Sequence, residues 1–185
     1  MEPRLKSIVD LDTLETDRLI VKPLSKEFLS EVYVGWMNDK KVNQYLQSGG
    51  DYTLQKLARY IDDVENNPKY FWAITLRSNG KHIGNIKIDP VNFINKFGEY
   101  GIMIGDRREW GKGYANEASK AVIKFCFDSL KLNKINLGVL INNKAALRLY
   151  QKLGFRIEGH LKKHEIHNGT FVDTYRMAIF NIVDK

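Results

Sequence analysis

Two glycines one residue apart, Gly111 and Gly113, lie in the run Arg107-Arg108-Glu109-Trp110-Gly111-Lys112-Gly113-Tyr114-Ala115, between an apolar strand-like stretch and an amphipathic helical one. Glycine lets a backbone come close to a ligand, and the helix start that follows leaves unpaired N–H groups and a partial positive charge facing it. The chemistry this suits is the holding of an anion, a pyrophosphate in particular. Two common phosphate motifs are excluded by spacing. A P-loop needs Lys then Ser or Thr after its last glycine, whereas Gly111-Lys112 runs into Gly113; a dinucleotide fingerprint needs a third glycine where Asn116 stands. Taken alone, the run is also ordinary turn punctuation before a helix.

A second segment adds to this. Asn143-Lys144-Ala145-Ala146-Leu147-Arg148-Leu149-Tyr150-Gln151-Lys152-Leu153-Gly154-Phe155 matches the signature Asn-x-x-Ala-x-x-Leu-Tyr-x-x-x-Gly-Phe of the GNAT-family N-acetyltransferases. In the same order, Arg108-x-x-Gly111-x-Gly113-x-Ala115 resembles that family's acetyl-CoA pyrophosphate loop. The flanking strands extend a looser resemblance from about Asp17 to Phe180.

The resemblance implies acetyl-CoA as co-substrate, a small-molecule amine as acceptor and no metal. Backbone N–H groups from Glu109 to Tyr114 would bind the phosphates, with Arg108 and Lys112 adding charge and Trp110, Gly111, Gly113 and Ala115 completing the loop. Ile102, Met103 and Ile104 on the preceding strand, and Asn143, Ala146 and Tyr150 in the second motif, would line the rest of the cofactor. Tyr150 resembles the tyrosine that protonates the departing thiolate; packed between Leu149 and Leu153, it also suits a core. Asn143 can bond cofactor and cap a helix together. A primary amine is mostly protonated near neutral pH, so a carboxylate near the acceptor is useful as a base. Glu99 stands where the family often places one, acting directly or through water, although it also suits a strand edge as a plain surface charge.

Around these residues the periodicities define a frame. Leu19-Ile20-Val21 reads as a strand stopped by Pro23, and Ser25 can cap a helix with Phe28, Leu29, Val32 and Trp36 at helical spacing. Thr53 can cap a second helix, with Leu54, Leu57, Ala58, Ile61 and Val64 on one face and Asn66-Asn67-Pro68 ending it. Tyr70 to Leu76 and His82 to Ile88 form a hairpin across Ser78-Asn79-Gly80, and Glu99 to Ile104 a third long strand. Glu117 to Phe127 is a helix, Ile135 to Ile141 a strand, and Gly154 closes the helix bearing Tyr150. Asn168-Gly169 turns a last hairpin between Phe155–His167 and Thr170–Phe180. The order predicts an α/β fold of mixed α+β type in a single domain, residues 1–185 with a core of about 17–180. The GNAT resemblance implies a mostly antiparallel, twisted central sheet flanked by helices, with one parallel strand pair that splays to admit the cofactor arm.

Composition limits the partners. The chain of 185 residues is 43% hydrophobic and 28% charged with net charge +7. No apolar run approaches a spanning helix, and Met1-Glu2-Pro3-Arg4 lacks a signal peptide's apolar core, so a cytoplasmic location and no membrane partner are expected. The single Cys126, between Phe125 and Phe127, reads as a buried structural thiol. Basic residues are scattered, which disfavours nucleic acid. His160, His164, Glu165 and His167 lack metal-ligand spacing. A homodimer is compatible with the sequence.

Positive charge suits an anionic acceptor and opposes a polycation such as spermidine. Trp36-x-Asn38-Asp39-x-x-Val42-x-x-Tyr45-Leu46 resembles the branch with ribosomal-protein, polyamine and nucleotide-linked amino-sugar acetyltransferases, most nearly the last. Trp36, Tyr45 and Glu99 are therefore the expected acceptor contacts, with Tyr33 and Tyr52 as further aromatic surface. The alternatives are acetylation of a protein N-terminus or an aminoglycoside, or a non-catalytic CoA- or nucleic-acid-binding regulator.

Overall fold

The computed structural model describes residues 11–46, 49–67 and 69–181. Strands β1 (Leu14–Glu15) and β2 (Leu19–Pro23) are followed by helices α1 (Glu31–Asn38), α2 (Lys40–Asn43) and α3 (Leu54–Asn66). Then come β3 (Tyr70–Leu76), β4 (His82–Asn92), β5 (Phe97–Ile104), α4 (Tyr114–Asp128), β6 (Lys134–Leu140), α5 (Lys144–Leu153), β7 (Arg156–His167) and β8 (Thr170–Phe180). The eight strands form one sheet in the order β1-β2-β3-β4-β5-β6-β8-β7, antiparallel at every junction but β5–β6. This is the expected mixed α/β architecture.

Alternation along β3 shows how the layers form. Successive side chains leave a strand on opposite faces. Trp72 and Ile74 enter a core with Ala118, Val122 and Phe125 of α4 and Leu147 and Tyr150 of α5. Phe71 and Ala73 enter a second core with Tyr33, Val34, Trp36 and Met37 of α1 and Leu57, Ile61 and Val64 of α3. The sheet is therefore sandwiched between two helical layers.

The parallel pair parts as expected. Only Phe97, Gly98 and Glu99 pair with Lys134, Ile135 and Asn136. Beyond them β5 stays tied to β4 up to Ile104, and β6 to β8 up to Leu140. Each strand follows its outer neighbour, and a cleft opens between them.

Several local expectations are corrected. Ser25 precedes only a short 3-10 turn and makes no side-chain cap; Ser30 caps α1 by accepting from the Tyr33 N–H at 3.2 Å. The extended backbone at Leu29 separates the two turns and shifts the helical phase, leaving Val32 exposed. Helix α4 starts at Tyr114, with Gly113 before it at φ 86°. Strand β4 continues past Ile88 to Asn92 through a register slip between Ile88 and Val91. Thr53 caps α3 and Gly154 ends α5 at φ 96° as expected, while Pro68 lies outside the described residues.

Candidate active site

The glycine loop begins where β5 ends, and its frame is a set of ion pairs. Asp106, almost fully buried, accepts from the Arg108 N–H at 3.0 Å and from its guanidinium at 3.0 and 2.8 Å. The Lys81 ammonium lies 2.6 Å from Asp106 and 3.1 Å from Glu109. These partners, Arg108 first and Lys81 next, hold the Asp106 carboxyl well below the usual range. Lys112 and then Lys81 lower that of Glu109, with Lys112 at 2.7 Å. Arg107 pairs with Asp39 at 3.0 Å. Arg107, Arg108 and Lys112 are thus each joined to a carboxylate.

The free donors start later than expected. Glu109 N–H donates to the Asp106 carbonyl at 2.9 Å and Trp110 N–H to the Arg107 carbonyl at 3.3 Å, closing the short turn. Among the described residues, the N–H groups of Gly111 through Asn116 have no protein acceptor, and the first α4 bond is made by Glu117 to Gly113 at 3.1 Å. Gly111 and Gly113 have φ 76° and 86°. A Cβ at Gly111 would meet nothing within 4 Å, and one at Gly113 only Arg18 at 3.5 Å. The loop is a row of donors on a left-handed backbone with open space above it, which fits a pyrophosphate.

Arg18, unnoticed in the sequence, holds the loop from the position just before β2. It donates to the Lys112 carbonyl at 3.0 Å, pairs with Glu117 at 2.6 Å and lies 4.7 Å from the Tyr114 ring centroid. Burial raises the Glu117 carboxyl, but hydrogen bonds from Thr16 and Arg18 outweigh it and leave it lowered. Trp110 donates its indole N–H to the Ile104 carbonyl at 2.7 Å. Tyr100 shares a 2.6 Å hydrogen bond with Ser119, which donates to the Ala115 carbonyl at 2.6 Å, tying β5 to the first turn of α4.

The second motif packs beside this. Asn143 caps α5 by accepting from the Ala146 N–H at 3.2 Å, which occupies that N–H group. Gly154 lets Phe155 N–H return to the Tyr150 carbonyl at 2.9 Å. The Tyr150 ring sits edge-on to Tyr100 at 5.7 Å and 5.9 Å from Phe155. Burial pushes its phenol up to about 12, and among the described residues its hydroxyl has no hydrogen-bond partner. It is a core ring with a protonated, uncommitted hydroxyl.

On the opposite face of the sheet, Glu99 is fully engaged. Arg176 donates to both its oxygens, at 2.9 and 2.7 Å, and the Asn136 amide donates to one of them. Such a bidentate, charge-assisted pair commits both carboxylate oxygens. Trp36, expected as an acceptor contact, is a buried core residue. Its indole is buried flat on Gly105, where a Cβ would fall 2.1 Å from the ring, and it lies 4.8 Å from His82. Tyr33 and Tyr52 are likewise core residues. Burial lowers the His82 imidazole, against the opposing effect of its bonds to Asn85 and Gly84. Trp36 and His82 therefore brace the corner where β5 enters the loop. Tyr45 is partly exposed, stacked at 5.0 Å on His167 of the last hairpin.

Among the described residues, no group of His, Cys, Asp and Glu suits a metal ion, and no helix is long and apolar enough to cross a membrane. Cys126 is free and buried, with its thiol pushed up by desolvation.

One sheet between two helical layers, with a parting parallel pair, a donor loop after one of its strands and a tyrosine-bearing helix after the other, suits an acyl-CoA transferase. The sequence pattern of the acetyltransferase (GNAT) domain matches residues 18–156, so the chain belongs to the GNAT family and is an N-acetyltransferase. It is 28% identical over 174 residues to the uncharacterized N-acetyltransferase p20 of Bacillus licheniformis, covering 91% of this chain and 96% of that one. It is 35% identical over 97 residues to the spermidine N(1)-acetyltransferase of Vibrio cholerae, covering 52% of this chain and 56% of that one. The crystal structure of spermidine N-acetyltransferase from Vibrio cholerae in complex with CoA and spermine superposes with TM-score 0.81 at 25% identity, covering 89% and 96% of the two chains.

Proposed function

We propose that this N-acetyltransferase moves the acetyl group of acetyl-CoA to a primary amine, with a nucleotide-linked amino sugar as preferred acceptor. The observation that carries the transfer chemistry is the pairing of uncommitted N–H groups at Gly111 to Asn116 with an uncommitted, protonated hydroxyl at Tyr150, reached from β5 and β6 as they part.

Bound acetyl-CoA supplies an activated thioester. The loop N–H groups would hold its pyrophosphate, and the edge of β5 at Ile102, Met103 and Ile104, unpaired toward β6, offers backbone groups to its arm. Asn143 has its amide N–H2 to offer beside the cap. As the amine nitrogen bonds to the acetyl carbon and the carbon–sulfur bond breaks, Tyr150 gives its proton to the leaving sulfur. The proton lost by the amine goes to water or to Glu99, which must first loosen its hold on Arg176. Domain 1–185 acts as one unit in this reading, in the cytoplasm.

The acceptor choice rests on the net charge of +7 and on the Trp36 to Leu46 segment, not on an aromatic platform, since Tyr33, Trp36 and Tyr52 are core. Spermidine is the second reading, favoured by the Vibrio cholerae relative. Parallel thiol-release assays at one ionic strength, with a nucleotide-linked amino sugar, spermidine, an aminoglycoside and a peptide N-terminus, decide between them. A higher kcat/KM for spermidine or peptide discards the sugar choice; no thiol release with any amine discards acetyl transfer.

A further inference from the structure

The acceptor-side face of the sheet carries a row of residues that neither motif contains. Phe71 pairs with Lys87, and Lys87 with Gly101. Gly138 and Gly159 each pair with Arg176 from opposite sides. Because Glu99 pairs with Asn136, Gly101 and Gly138, two residues further along each strand, are level across the cleft where β5 and β6 part. The row therefore reads Phe71, Lys87, Gly101, cleft, Gly138, Arg176, Gly159. Paired and i+2 residues share a face, so all project from the side that carries Glu99.

Two long cationic side chains lean over bare backbone in this row. A Cβ on Gly101 would lie 3.1 Å from Lys87 Cε, and one on Gly138 would lie 3.1 Å from an Arg176 terminal nitrogen. Gly101 makes room for the Lys87 stem and Gly138 for the Arg176 guanidinium, and one cation lies on each side of the cleft. Among the described residues the Lys87 ammonium has no carboxylate partner, only the Phe71 ring at 5.2 Å. Arg176 uses two donors on Glu99, and its fork has more to offer. Asn136 adds an independent sign of a ligand. Its N–H2 must face Glu99, which only accepts, so its buried carbonyl oxygen points elsewhere and has no donor. An orphaned buried acceptor next to the Arg176–Glu99 pair, with a second cation across the cleft, suits a molecule with both an N–H group and an anionic group.

We infer that the acceptor carries an anionic group, carboxylate or phosphate, bound by Lys87 and Arg176 over the glycine floor of the β5–β6 cleft, with Asn136 receiving its N–H. This rests on the acetyltransferase reading of the cleft, narrows the acceptor class and runs against a polyamine.

The test uses matched probes: glycine against glycinamide for carboxylate, and glucosamine 6-phosphate against glucosamine for phosphate. kcat/KM is measured for wild type, Lys87→Met, which keeps the stem over Gly101, and Lys87→Arg, which restores the charge. Comparing the ratio within each pair between variants cancels the amine's own basicity. The wild type should prefer the anionic member of at least one pair; which pair identifies the anion. That preference should fall about 10- to 100-fold in Lys87→Met, the scale of one charged hydrogen bond, and return in Lys87→Arg. In parallel, inorganic phosphate and acetate are titrated calorimetrically into each variant with the glycine loop filled by coenzyme A. Binding of the favoured anion should weaken at least about 10-fold in Lys87→Met. Transfer with no anion preference, a preference for spermidine, or a preference untouched by Lys87→Met overturns the inference and leaves the acetyltransferase reading standing. Anion binding that weakens in Lys87→Met, with no transfer to any amine, supports the anion site and removes the acetyltransferase reading instead; absence of both removes both.

Discussion

Tyr150→Phe separates chemistry from packing more cleanly than any other change at this site. The hydroxyl it removes has no protein partner among the described residues, so the variant leaves no orphaned donor or acceptor behind. The ring keeps its contacts with Tyr100 and Phe155. The melting temperature should therefore stay within about 2 °C of wild type, as for a substitution that breaks no interaction. Coenzyme A affinity by calorimetry should be unchanged. Turnover should fall ~10²-fold, equivalent to about 2.7 kcal/mol of transition-state stabilisation, the scale for one positioned acid. The pH dependence has a definite sign. Burial raises the phenol to about 12, so the proton is present through the neutral range and is lost only as pH climbs toward that value. Thiol release measured across pH with the best acceptor supplies the rates. Wild-type turnover in the variant would return Tyr150 to the core, and a rate loss matched by a large drop in melting temperature would mean that packing had failed.

Gly113→Val should weaken coenzyme A binding more than about 10-fold by calorimetry, because a branched side chain at φ 86° distorts the donor row; unchanged affinity removes the loop from the site. Gly111→Ala meets nothing within 4 Å, so its fold cost is the left-handed backbone alone, about 1–2 kcal/mol, read as a small drop in melting temperature. Glu117→Gln should lower stability near neutral pH by roughly 1 kcal/mol, since Arg18 is half exposed and solvent screens the pair. The lowered Glu117 pKa stabilises the fold above its unfolded value and ceases to do so as pH falls through the folded one, so the thermal-melt gap to wild type should close below about pH 4; a constant gap would contradict the pairing. Glu99→Gln should slow turnover most at mildly acidic and neutral pH, with partial recovery at higher pH; a pH-rate profile that overlays wild type assigns the base elsewhere.

Much of the frame was legible because it rests on local physics. Asn168-Gly169 turns the last hairpin with both residues at positive φ, and Gly154 ends α5 in the left-handed region, as their residue types require. Thr53 caps α3 for the same kind of reason. Ser25 misled because Ser30 offers the same cap five residues later, and only the extended backbone at Leu29 decides between them. The burial of Trp36 was hidden for a different reason. An exposed platform and a buried brace have the same local sequence, and the decision lies with Gly105, 69 positions away, which leaves room for the indole. Arg18, Lys81 and Arg176 left no local signal, since their partners Glu117, Asp106 and Glu99 come from other elements.

The glycine loop and the acceptor face of the sheet use charge in opposite ways, and this determines what each can bind. At the glycine loop, Arg107, Arg108 and Lys112 are all joined to carboxylates, so the side chains shape the turn and the uncommitted backbone N–H groups are left to meet the anion. Backbone donors are fixed by the fold and lose no side-chain entropy on binding, which suits a coenzyme every turnover must capture. On the acceptor face the backbone is bare glycine, and selection falls to long side chains: Lys87 without a carboxylate, and Arg176 shared with Glu99. An anion that draws Arg176 to itself weakens its hold on Glu99 and frees the carboxylate oxygens that the guanidinium occupies. Selection of an anionic acceptor and readiness of Glu99 to take the amine's proton would then be linked through one guanidinium. Arg176→Lys, which keeps the charge but loses the fork, should therefore lower kcat for anionic acceptors more than for neutral ones. Equal losses for both would separate acceptor recognition from the base.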